Sequence, residues 1–125
     1  MKVMIIQPEG EARDKLEAYL KAGGAEVICS RPVWPGFFLM AKQERPDVAL
    51  VDCSADPGYG RECAGYLGET GFTNQIKVLA FNVAPDEEDL MKIRAPKAKI
   101  VNLRDIGNEL AKIDPGFRPP DATPA

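Results

Sequence analysis

The most apolar run of the chain, Val48 to Val51, stops on a carboxylate, Asp52, followed by Cys53 and the turn-forming stretch Ser54-Ala55-Asp56-Pro57-Gly58. An aspartate ending a buried strand has two readings: a group held out for chemistry, or an acid that caps the turn after it. Glu9 and Asp56 are the acids that could join it around a cation, although Asp56 reads first as a turn residue. Cys53 is a thiol beside that carboxylate, yet no activating base accompanies it, and a cysteine next to a strand is commonly a small buried hydrophobe. The chain has no histidine, which removes Ser/His and Cys/His nucleophile pairs and any His-based phosphorelay on this chain. Its three cysteines, Cys29, Cys53 and Cys63, are widely spaced with no CxxC pair, so reduced structural thiols are expected and no zinc site. The stretch Pro8-Glu9-Gly10-Glu11 has a single glycine where a phosphate-cradling loop needs more, which weighs against a nucleotide-binding domain.

The elements that must position these groups alternate along the chain. Val3 to Ile6 reads as a strand buried on both faces. From Glu11 the apolar positions Ala12, Leu16, Tyr19 and Leu20 recur at helical spacing, and Gly23-Gly24 stops the helix. Further strands are expected over 25–29, 48–51, 77–81 and 99–101, and further helices over 36–44, about 60–69, about 85–94 and about 104–113. Five strands alternating with five amphipathic helices require crossover connections, hence a doubly wound parallel sheet in a three-layer α/β/α arrangement. In such folds, ligand-handling groups gather past the C-terminal ends of the strands. Those ends carry Gln7-Pro8, Arg31-Pro32, Asp52, Asn82 and Asn102.

A chain of 125 residues with 45% apolar and 28% charged residues makes one globular domain. We assign it residues 1–113 and expect 114–125, proline-rich and without periodicity, to be a flexible tail. A net charge of -3 with both signs interspersed gives no basic stripe, so a protein partner is expected and not nucleic acid. The first apolar run is too short for a signal peptide or a membrane span, which points to a cytoplasmic protein.

Residues 45–60, RPDVALVDCSADPGYG, resemble the centre of a response-regulator receiver domain: an Arg-Pro-Asp lead, an apolar strand, the phosphoacceptor aspartate, and a proline-glycine loop. The resemblance extends through 1–113 by element order, and implies a flavodoxin-like (CheY-like) fold with Asp52 at the acceptor position. It also implies what is missing. Where the family carries an acidic pair that holds magnesium, this chain has Gln7 and Pro8, with Glu9 the nearest acid. The switch Ser/Thr is Asn82, and the strand-five lysine is Asn102. Acyl-phosphate formation concentrates negative charge that the metal and lysine normally offset, so without them it should be slow or absent. Arg104, starting the last helix, is the cation that could substitute.

The expectation is therefore a degenerate or pseudo-receiver: a two-component signal-transduction module, not an enzyme, with no cofactor or metal, acting through a protein partner. The alternative is an atypical response regulator phosphorylated at Asp52 within a non-standard magnesium shell. Candidate contact residues are Trp34, in an aromatic cluster with Phe37 and Phe38, and Glu88, Lys92 and Arg104. The last three lie where the resemblance places the helix 4/strand 5/helix 5 face through which receivers dimerise. Trp34 reads first, however, as part of a loop cluster folded over the sheet edge.

Overall fold

The computed structural model describes residues 1–54 and 57–124. Five strands, β1 (Lys2–Ile6), β2 (Glu26–Ser30), β3 (Val48–Asp52), β4 (Lys77–Phe81) and β5 (Lys99–Ile100), form one sheet in the order β2-β1-β3-β4-β5. Every pairing is parallel. The helices α1 (Glu11–Ala22), α2 (Gly36–Glu44), α3 (Pro57–Glu69) and α4 (Glu88–Arg94) supply the four crossovers, and α5 (Ile106–Ile113) follows β5. This is the expected flavodoxin-like α/β fold.

Side chains alternate across each strand, and that alternation divides the core. Met4, Ile6, Ala49, Val51, Val78 and Ala80 face Phe37, Ala41, Ala64, Leu67 and Met91 of α2, α3 and α4. Val3, Ile5, Val48, Leu50, Leu79 and Phe81 face Leu16, Leu20, Ile106 and Leu110 of α1 and α5. The central strand β3 is buried throughout, which is why its sequence reads as a continuous apolar run.

Element ends shift by a few residues from the expectation. Proline at Pro85 starts a 3-10 turn, Pro85–Glu87, ahead of α4, and a second 3-10 turn, Leu103–Asp105, precedes α5. Helix α3 begins earlier, at Pro57. The segment expected as a free tail packs back on the domain: Phe117 is 4% exposed in the α1/α5 core and Pro124 is buried. Its one large aromatic ring has more to gain in that core than in water. Among the described residues no helix is long and apolar enough to cross a membrane.

Candidate functional site

The sheet order reverses between β1 and β3: the chain goes from β1 outward to β2, then returns to pair β3 on β1's other side. A crevice opens at such a switch point, past the strand C-termini. Register fills it. Ile6 lies opposite Val51, so Gln7 stands level with Asp52; Asp52 lies opposite Phe81, so Asn82 follows directly beside it. Each of these residues is the first polar one after a buried run.

Asp52 is 6% exposed, and its Oδ1 accepts hydrogen bonds from the Ser54 N–H at 2.9 Å and the Asn82 Nδ2 at 3.1 Å. Asn82 has φ 57, a left-handed conformation that asparagine tolerates better than most residues. Gln7 is 4% exposed, and its buried Oε1 has no partner among the described residues. These side chains line a pocket of about 320 Å³ together with Glu11 and Lys15 of α1, Leu103 and Pro124. Sequence reasoning named neither Lys15 nor Glu11 as site residues. The pair has i,i+4 spacing, which in sequence is the pattern of a solvated helix-surface ion pair, and flanks Ala12 and Leu16, which also line the pocket.

Charge is scarce around Asp52. Lys15 is paired with Glu11 at 3.2 Å. Lys99 points to Glu109 at 2.8 Å on the surface, and Arg104 is exposed and does not line the pocket. Asn102 is exposed as well; its side chain accepts from the Arg104 N–H at 3.1 Å, capping the 3-10 turn. Pro8 is half-buried outside the pocket, and Glu9 faces a different groove with Arg13, Cys29 and Trp34. Asp56 lies outside the described residues.

The receiver resemblance implies a magnesium ion here, and the donor set does not fit one. Asp52 is joined by an amide oxygen from Gln7, while the carboxylate of Glu11 is engaged by Lys15. Among the described residues no three His, Cys, Asp or Glu side chains cluster as metal ligands. Cys53 adds no nucleophile: burial first, then the neighbouring Asp52 charge, pushes its thiol up to about 12, and its Sγ lies 3.8 Å from the Val51 carbonyl.

The contact candidates lie elsewhere. Trp34, 54% exposed, packs against Phe38 at 5.3 Å and Tyr66 at 4.9 Å, and meets the buried Phe37 edge-on at 5.8 Å. It thus belongs to an aromatic cluster spanning α2 and α3 and keeps one part in solvent. Glu88 and Lys92 are exposed on α4, beside two apolar residues the sequence reading did not name, Leu90 and the 79% exposed Ile93.

No protein-family profile matches the chain, and no curated protein matches it in sequence. Solved structures do. A protein assigned as a response regulator from Chloroflexus aurantiacus superposes with a TM-score of 0.74 at 13% identity, covering 90% of this chain and 95% of that one. The solution structure of a response regulator protein from Burkholderia multivorans gives a TM-score of 0.62 at 18% identity over 98% of both chains. A phosphorylated cyanobacterial phytochrome response regulator gives 0.61 at 17% identity, over 90% of this chain and 86% of that one. With its sheet order, its paired core faces and these neighbours, the chain has the fold of a CheY-like response-regulator receiver.

Proposed function

We propose that this protein is a receiver-like signalling module of the cytoplasm that works by binding a protein partner, without conventional aspartyl phosphorylation and without enzymatic activity. One observation carries the reading. Asp52, which the receiver resemblance puts at the acceptor position, stands at the switch point with neutral hydrogen-bond partners, the Ser54 N–H and the Asn82 amide. A phosphoryl group added to it would bring further negative charge, and the cation lining the pocket, Lys15, is already shared with Glu11.

The partner surface that fits this reading is the α4–β5–α5 face, available to a protein partner or a second copy, a use that the exposed Leu90 and Ile93 beside Glu88 and Lys92 support. The two-residue strand β5 ends the sheet there.

Intact mass after incubation with magnesium and acetyl phosphate, run beside Asp52→Ala, tests the proposal. We expect no phosphoryl adduct on the folded protein. An adduct that disappears in Asp52→Ala would establish the alternative, an atypical response regulator phosphorylated at Asp52.

A further inference from the structure

The chain past α5 does not leave the molecule. At Asp114 it turns: the main-chain carbonyl accepts from the Phe117 N–H at 2.9 Å and Oδ1 accepts from the Gly116 N–H at 2.9 Å. The turn sets the Phe117 ring into the α1/α5 core, directly on Gly23, where an added Cβ would collide with the ring. The Arg118 N–H then donates to the Gly23 carbonyl at 3.1 Å. This end of α1 lies at the N-terminal edge of the sheet, opposite the Asp52 pocket.

From there the chain climbs back. Pro119 lies over Gly107 in the first turn of α5, where an added Cβ would sit 2.9 Å from the Pro119 Cβ. Pro124 is buried and forms part of the wall of the Asp52 pocket. The reach suffices, because six residues of extended chain span about 20 Å, more than the rise of roughly 12 Å along α5. Between the two buried points, Phe117 and Pro124, most residues are exposed.

We propose that residues 118–124 form a strap, anchored at Phe117, that closes the Asp52 pocket with Pro124. Its composition suits the task. Pro119, Pro120 and Pro124 lose little freedom on docking and bring no backbone N–H that the groove would have to satisfy. The segment around Pro124 can therefore lift while the Phe117 anchor holds. Lifting it opens the way to two acceptors, the unpartnered Gln7 Oε1 and the Asp52 carboxylate. The coupling runs both ways: a group entering the pocket displaces the strap, and a partner that takes the strap from the α1/α5 surface opens the pocket.

The strap concerns access to Asp52 and stands whether or not Asp52 accepts a phosphoryl group. The test is labelling of carboxylates with a water-soluble carbodiimide and glycine ethyl ester, read by peptide mass mapping. Asp47, which accepts the Lys2 N–H at the opposite edge of the sheet, serves as internal reference. A chain ending at Arg118 keeps the anchor, and its Asp52-to-Asp47 labelling ratio should rise roughly five-fold or more over the full chain. The full-length double variant Pro119→Gly/Pro124→Gly, which loosens the strap without shortening the chain, should move the ratio in the same direction. Because Asp47 is exposed in the folded chain and Asp52 is buried, general destabilisation would also raise the ratio, so the ratio is compared only at matched stability, with the urea midpoint of each variant held beside that of the full chain. An unchanged ratio in the full-length double variant, with folding confirmed, would overturn the proposal.

Discussion

Asp52 and Arg94 are charged groups that the molecule handles in opposite ways. Asp52 is buried at the end of the central strand, where the groups that satisfy it are dipoles: a backbone N–H and an asparagine amide. Arg94, at the end of α4, reaches across to α3 and binds two carboxylates, Glu62 at 3.0 Å and Glu69 at 3.1 and 3.4 Å, with its guanidinium over the Tyr66 ring at 5.0 Å. Its charge is spent on a partly exposed network. The contrast teaches where stability and function separate in this fold. Dipoles fixed by backbone register hold a buried carboxylate in one geometry, whereas long ionic side chains on the surface adjust and contribute little individually.

Removing the dipole that faces Asp52 should have the largest effect. Asn82→Ala deletes a hydrogen bond to a buried carboxylate, and puts alanine at φ 57. The two losses together should lower stability by about 2–3 kcal/mol. Asn82→Gly removes the same hydrogen bond while accommodating the left-handed backbone, so it should recover about 1 kcal/mol of that loss. Urea unfolding of both variants beside the native protein measures the difference. If both variants unfold at the native midpoint, Asn82 is not what holds Asp52.

A second pair of substitutions compares the same two regions through one helix. Gly60 and Gly65 both lie in α3, and alanine is the better helix former by roughly 1 kcal/mol. At Gly60 an added Cβ would lie 2.9 Å from the Asp52 carbonyl oxygen and 2.7 Å from Cys53 Sγ. Those atoms lie at and just past the end of β3, on buried residues with little room to retreat, so Gly60→Ala should cost about 1–2 kcal/mol net. At Gly65 the added Cβ meets the Arg94 guanidinium, the far end of a flexible side chain. There the helix gain and the weakened ion pairs should cancel to within about 0.5 kcal/mol. Equal losses at both positions in thermal unfolding would refute the distinction between rigid and adjustable neighbours.

The same distinction accounts for what could be read in advance. The sheet was legible because Val3–Ile6, Val48–Val51 and Lys77–Phe81 are apolar runs broken by proline and glycine, and a strand buried on both faces leaves little else to choose. Gln7, Asp52 and Asn82 were legible as a group because each is the first polar residue past such a run, and parallel register aligns those ends. Lys15 was not, because a helix-surface lysine four residues from a glutamate has the pattern of a solvated pair, and only the rotation of α1 places it at the pocket. Asn102 and Arg104 fall on positions marked by the receiver resemblance, but the Asn102 side chain is spent capping the Arg104 N–H, and Arg104 is exposed outside the pocket. The docking of residues 114–124 left no periodic mark, since one aromatic ring and four prolines match neither the helical nor the strand repeat.

The smallest effect belongs to Arg94 itself, and salt identifies its origin. Glu62 and Glu69 are each more than half exposed, so Arg94→Ala should lower stability by about 1 kcal/mol or less. At 1 M sodium chloride the screening length is about 3 Å, and the ionic part of that loss should largely vanish, leaving the stem and ring contacts with Tyr66. The loss at Asn82 should persist at the same salt, because a neutral amide facing a buried carboxylate is poorly screened. Urea unfolding of Arg94→Ala and Asn82→Ala at low and high salt sets the two against each other. A loss at Arg94 that is large and indifferent to salt would mean that its network is structural in the same sense as the Asp52 pocket. A loss that fades while the one at Asn82 stays would fix the difference: surface charge tunes this domain, and fixed dipoles around a buried carboxylate shape its site.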